Sequence, residues 1–198
     1  MPDGRKVILA GTDEKIFEYL LDHCVTPDPT SNVQPSGVTA TDPQVADVLI
    51  AMPAAGTSKR IVAVLFKLYL AASQMMQQYG THWITRCPEA VKVVAIERKK
   101  AVVEFVRQWV YVTGDAIWQD EAISGFVSEL AAETCNDANH LPALSESLAT
   151  ARRLCDLRDQ ALALAQSIEN QQEAAYVSRQ NYGAVIRPIK TSDNCKLP

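Results

Sequence analysis

The sequence predicts an all-α fold, an irregular bundle of about five or six helices, on three observations. Apolar residues recur at spacings of three and four through one segment after another. Capping and breaking residues fall between those segments, at Thr12, Asp42-Pro43, Thr57-Ser58, Gly80 and Gly114. Leu141, Leu148, Cys155 and Leu162 then follow at intervals of seven, with Leu144 and Ala151 between them. That last spacing suits a long helix laid against others.

Taken in order, Lys6–Ala10 is an extended lead-in or a small strand. Thr12 is a good helix N-cap, and Asp13 and Glu14 sit in the first turn, where the helix dipole favours negative charge. Ile16, Phe17, Leu20 and Leu21 form that helix's buried stripe. Cys24–Thr41 holds three prolines, a glycine and many hydroxyls, and is expected to be a mobile loop. A second helix starts at Asp42-Pro43, since proline at the first helical position lacks only an N–H that would be unpaired anyway. Its apolar side is Val45, Val48, Leu49 and Met52. A third, capped by Thr57 or Ser58, carries Ile61, Leu65, Leu68, Tyr69, Ala72 and Met76 and ends near Gly80.

His82–Pro88 reads as a connection holding Trp83, and Pro88 opens a helical pattern that runs into the segment Glu97–Glu133. There Val102, Phe105, Val106 and Trp109 lie on one stripe, and Lys99, Lys100, Glu104, Arg107 and Gln108 are placed mostly on the wet face opposite. Gly114 is suited to close this helix by entering the left-handed conformation. Ile123, Phe126, Val127 and Leu130 make a second stripe. Two stripes separated by so short a turn, Val112–Asp115, are expected to pack on each other as a helical hairpin. Cys135–Leu141 reads as turn-like, and the long final helix is expected to fade near Tyr176. The domain is thus placed at residues 5–175, with a disordered tail at 176–198.

At 47% hydrophobic and 21% charged residues, the chain can build a packed core. A net charge of -4 gives no electrostatic reason to expect nucleic acid. Five scattered cysteines without a CxxC pair argue against a disulfide scaffold or a zinc module and fit a reducing intracellular compartment. The opening residues are too short in apolar character for a signal peptide, and no run reaches the ~20 apolar residues that span a bilayer. A soluble protein is expected.

No residue stands out as catalytic, cofactor-binding or metal-ligating. Gly11-Thr12 after an apolar run invites a phosphate-binding reading, but without GxGxxG the plainer assignment is a helix cap. Ala55–Lys59 is a scrambled phosphate loop lacking the required spacing. His23-Cys24 signals no third group for a nucleophile pair. The acidic pairs Asp13-Glu14 and Asp120-Glu121 are explained by helix starts. Arg98-Lys99-Lys100, with Lys92 and Arg107, is the one basic cluster. A Lys100–Glu104 pair partly neutralises it, and a solvated helix face is the preferred reading.

Two blocks nevertheless resemble a known family. RKVILAGTDEKIFEYLL (Arg5–Leu21) is similar to the opening of the Ras exchanger motif domain, the N-terminal module of Ras- and Rap-family guanine nucleotide exchange factors. The shared features are an apolar lead-in, Gly-Thr, a helix-starting acid, a basic residue and paired leucines. RKKAVVEFVRQWVYVTGDAIWQDEAISGFVSEL (Arg98–Leu130) resembles the later part, a basic residue before an apolar helix ending in Trp and a second hydrophobic helix. Among these proteins the Epac-type Rap exchange factors are the most alike. Together the blocks cover about a quarter of the chain. Between them Val45–Ala55 lacks the family's Phe-Leu-Leu-Thr-Tyr-Arg-x-Phe pattern.

The resemblance implies an all-helical, non-catalytic module that supports a separate exchange domain, in cis or in trans, and meets a small GTPase only indirectly. It implies no cofactor, a cytoplasmic setting with peripheral membrane association through a longer protein, and a chain that is a fragment, a short isoform or a divergent stand-alone protein. The signature residues it points to are structural: Gly11 and Thr12 at the first cap, and Phe105, Trp109 and Phe126 in the hairpin core. A second expectation, from another class, is a helical adaptor that self-associates through a Leu141/Leu148/Leu162 seam.

Overall fold

The computed structural model describes residues 11–22, 58–80 and 82–185, with the side chains of 177–185 left aside. The expected strand or lead-in at Lys6–Ala10, the Pro-rich loop, the helix from Asp42 to Met52 and the chain beyond Val185 lie outside the described residues. By its contacts the chain divides into two units, Met1–Asp159 and Gln160–Pro198. Among the described residues all regular structure is helical: α1 Asp13–Leu20, α2 Ser58–Gln77, α3 Trp83–Arg86, α4 Glu89–Thr113, α5 Glu121–Ala138 and α6 Ser145–Val185. Two 3-10 segments, Gly114–Gln119 and Pro142–Leu144, join α4 to α5 and α5 to α6. None of the described helices is long and apolar enough to cross a membrane.

The first unit is organised around α2. Its buried residues Ile61, Leu65, Leu68, Tyr69, Ala72 and Met76 hold to one side of the helix. Among the described elements, α4 and α5 each pack most extensively on α2, and α1 and α3 also touch it. This corrects the expected hairpin. The 3-10 segment between α4 and α5 is six residues long and carries its own buried pair, Ile117 and Trp118. It holds the two helices apart enough for α2 to be their common floor. Phe126 of α5 accordingly meets Phe66 of α2, edge to face with centroids 6.1 Å apart.

Local chemistry explains most boundaries. Pro88 is the N-cap of α4, which runs unbroken to Thr113 as the apolar spacing predicts. Asp120 caps α5 by accepting from the Ala122 N–H at 2.9 Å. Gly114 ends α4 at φ 67° and ψ -161°. That is not the expected left-handed helical well but a region open essentially to glycine alone. Trp83 sits in a single helical turn rather than in a bare connection. α5 reaches Ala138, so only Asn139 and His140 are left as the turn expected from Cys135 onward.

A second apolar cluster closes the end of the bundle where α2 finishes and α4 begins. Ala72, Met76, Cys87, Ala95, Leu141 and Leu144 form its centre. In the first unit α6 buries Ala151 and Leu154. In the second, residues from Gln160 to Tyr176 are exposed, Ala161 being intermediate. The helix runs on to Val185, where sequence analysis expected the tail from residue 176. The amphipathic pattern does fade there, but Ala, Gln, Glu and Arg keep a strong intrinsic preference for helix without any stripe to bury.

Candidate functional site: a buried lysine between three helices

The most polar feature of the interior is built by α2, α4 and α5 together. α4 contributes Lys99, which is 0% exposed. Its ammonium donates to Ser73 Oγ of α2 at 2.6 Å and to Asp137 Oδ2 of α5. It also lies 4.4 Å from the centre of the Tyr69 ring. The Tyr69 hydroxyl donates to Asp137 Oδ2 at 2.8 Å and lies 3.2 Å from Thr134 Oγ1. Thr134 in turn donates to the Leu130 carbonyl at 2.7 Å. The backbone makes this convergence possible: Tyr69 and Ser73 stand one turn apart on α2, and Thr134 and Asp137 one turn apart on α5.

Burial pulls the Lys99 ammonium below the usual lysine range, and its bond to Asp137 works against that pull. Burial likewise pushes the Tyr69 phenol far above its ordinary range, so it stays a hydrogen-bond donor. The pair of Ser73 and Lys99 has the contact distance of a serine nucleophile with a lysine base. Its surroundings do not support that chemistry. Asp137 Oδ2 holds the Lys99 ammonium directly, so the amine is tied to a carboxylate rather than free to take a proton from Ser73. Ser73 also stands inside α2, where neighbouring backbone N–H groups are used by the helix and none is left to stabilise an oxyanion. The junction is a cross-tie between helices.

Lys99 and Gln108 correct the sequence reading, which set both on the wet face. Both are buried. The spacing carried the signal: Lys99 is four residues after Ala95, three before Val102 and seven before Val106, squarely on the apolar stripe. A lysine's charge argues for water and its place on the stripe for the core, and here the place prevails. Tyr69, placed on the apolar side of its helix from the start, gave no sign in the sequence of its hydroxyl's partners.

The signature residues lie apart from this junction. Gly11 is exposed, and Thr12 caps α1, its Oγ1 accepting from the Lys15 N–H at 3.4 Å. Phe105, Trp109 and Phe126 are all buried, but they do not form one hairpin core. Phe105 meets Phe17 of α1 with ring centroids 5.6 Å apart, whereas Phe126 faces α2. Trp109 is 0% exposed, and its Nε1 has no hydrogen-bond partner among the described residues.

No family model matches the chain, and no solved structure matches it.

The remaining candidates are accounted for by pairing, within a helix or between helices. Lys92 pairs with Glu89, Lys100 with Glu97, Arg107 with Glu104 and Arg98 with Asp22. The expected Lys100–Glu104 pair is thus replaced by pairs three residues apart, and the basic cluster is neutralised residue by residue. Asp13 and Glu14 reach Arg60 and Lys67 of α2. His140 stands edge-on to Trp83 at 6.4 Å, and His23 lies outside the described residues. Among the described residues no group of three or more His, Cys, Asp or Glu side chains could hold a metal ion. Burial raises the Cys155 thiol, the opposite of what a nucleophile needs.

Proposed function

We propose that this chain is a non-catalytic helical support module, of the kind that braces the catalytic domain of a Ras- or Rap-family guanine nucleotide exchange factor. Its partner would be that exchange domain, in cis or in trans, with the small GTPase engaged only indirectly. The setting would be cytoplasmic, with membrane contact only peripheral and through a longer protein. The sequence resemblance is one support for the reading. The observation that carries it further is the meeting of the two resembling segments, distant in the chain. Phe17 in the first packs against Phe105 in the second, and Asp22, just past the first, lies 3.6 Å from Arg98, which opens the second.

The test is a pull-down of a Rap exchange domain by this chain, with Rap nucleotide release scored in the presence and absence of the chain. Binding with a changed release rate is expected. No capture and an unchanged rate would refute the exchange-factor reading.

A second reading, a self-associating adaptor, is favoured by the exposure of Leu162, Leu164 and Ile168 on α6, with Leu164 60% exposed. The seam first expected for it does not hold together. Leu141 is buried and Leu148 partly so, which leaves Leu162 as its exposed member. A dimer in sedimentation that is lost on Leu164→Glu, with no exchange domain bound, would favour this reading.

A further inference from the structure

Apolar stripes at helical spacing repeat every turn, so they fix a helix's rotation better than its position along its axis. Sliding α4 by one turn, about 5.4 Å, would bring Val102 close to where Val106 now lies, with aliphatic side chains still meeting aliphatic ones. The Lys99 junction does not repeat. On the line of α4 that carries Lys99, the neighbours one turn away are Ala95 and Val103, neither of them polar. One turn along α2 from the Tyr69/Ser73 pair stand Leu65 on one side and Met76 or Gln77 on the other. A slid α4 would therefore carry the ammonium away from Ser73 and its pairing with Asp137, toward aliphatic Leu65 in one direction and toward the exposed Gln77 end of α2 in the other. Glu133, one turn before Asp137, is the other acid within electrostatic reach of Lys99. A slid α5 could offer it in place of Asp137, but would take Thr134 away from the Tyr69 hydroxyl.

We propose that the Lys99 junction is a register lock. Its bonds to Ser73, Asp137 and the Tyr69 ring select one axial position for α2, α4 and α5, and so give the bundle a single outer surface to present to any partner. The proposal does not depend on which partner that is. The lock is closed on itself: the ammonium has two acceptors and a ring face, and Asp137 Oδ2 takes both Lys99 and Tyr69.

The test removes both charges at once, as Lys99→Met with Asp137→Leu in the full chain, so that no unpaired ion is left behind. The double variant should remain helical and melt cooperatively at a similar denaturant midpoint. Its α4 and α5 methyl resonances should be doubled or broadened, and amide exchange across those helices should quicken at least tenfold. A single sharp set of resonances with parental protection would overturn the proposal. So would an unfolded double variant, because the pair would then supply stability instead of choosing among packings. The exposed pair that joins α1 to α2, removed as Glu14→Gln with Lys67→Met, is the control and should change neither readout.

Discussion

The ammonium of Lys99 lies 4.4 Å above the ring of Tyr69 while both side chains reach the same carboxylate, Asp137. Removing one partner differs from removing the other. Asp137→Leu alone strands a fully buried ammonium and should cost about 3–5 kcal/mol in urea unfolding. Lys99→Met alone leaves a carboxylate that is 18% exposed and can turn toward water, so its cost should be clearly smaller.

The same pair predicts an unusual alkaline profile. Lys99 titrates below the ordinary lysine value of 10.5 in the folded chain, chiefly because it is buried. Between its depressed value and 10.5 the unfolded chain therefore holds a proton that the folded chain has released, and stability rises with pH across that window. Tyr69 acts oppositely. Above the ordinary tyrosine value of 10.0 the unfolded chain loses a proton that the folded chain keeps, so stability falls. Subtracting the Lys99→Met stability curve from the parent's should show the rise, and subtracting Tyr69→Phe the fall. Flat difference curves would contradict the burial of these groups.

Gly114 should tolerate no replacement. A Cβ there would meet nothing within 4 Å, so any cost is backbone strain alone. Its φ of 67° with ψ of -161° lies outside the left-handed helical well that asparagine shares with glycine. Gly114→Asn should thus cost as much as Gly114→Ala, about 1–3 kcal/mol by chemical denaturation. A well-tolerated asparagine would place the residue in the ordinary left-handed well.

Trp109→Ala should cost about 3–5 kcal/mol, because the ring is wholly buried. Trp109→Phe should cost much less than the ring's size suggests. It removes an N–H that has no acceptor among the described residues, and so relieves an unmet hydrogen bond while opening a small void. Urea melts of the two variants side by side test this.

The two caps should rank by geometry. Asp120 accepts at 2.9 Å in a partly buried site, and Thr12 at 3.4 Å in an exposed one. Asp120→Ala should cost about 1 kcal/mol and Thr12→Ala less.

Helix type was legible where stripe and cap agreed, as at Thr12 and from Pro88 through Trp109. The partnering of those helices was not. A stripe says which side is buried but not against what, and the 3-10 segment after Gly114 sent α4 and α5 to α2 rather than to each other. The burial of Lys99 was written in its spacing, but its partners were not. A lysine on an apolar stripe requires acceptors that lie 26 and 38 residues away in the chain, and no local pattern announces them. The end of α6 was missed because intrinsic propensity can carry a helix past the point where its pattern stops.

Because α2 is the floor on which α1, α3, α4 and α5 all rest, each of those helices loses a partner if α2 is broken. A nick or insertion within Ser58–Gln77 would therefore dissolve the whole assembly, whereas the same lesion in the exposed run after Gln160 would leave it standing.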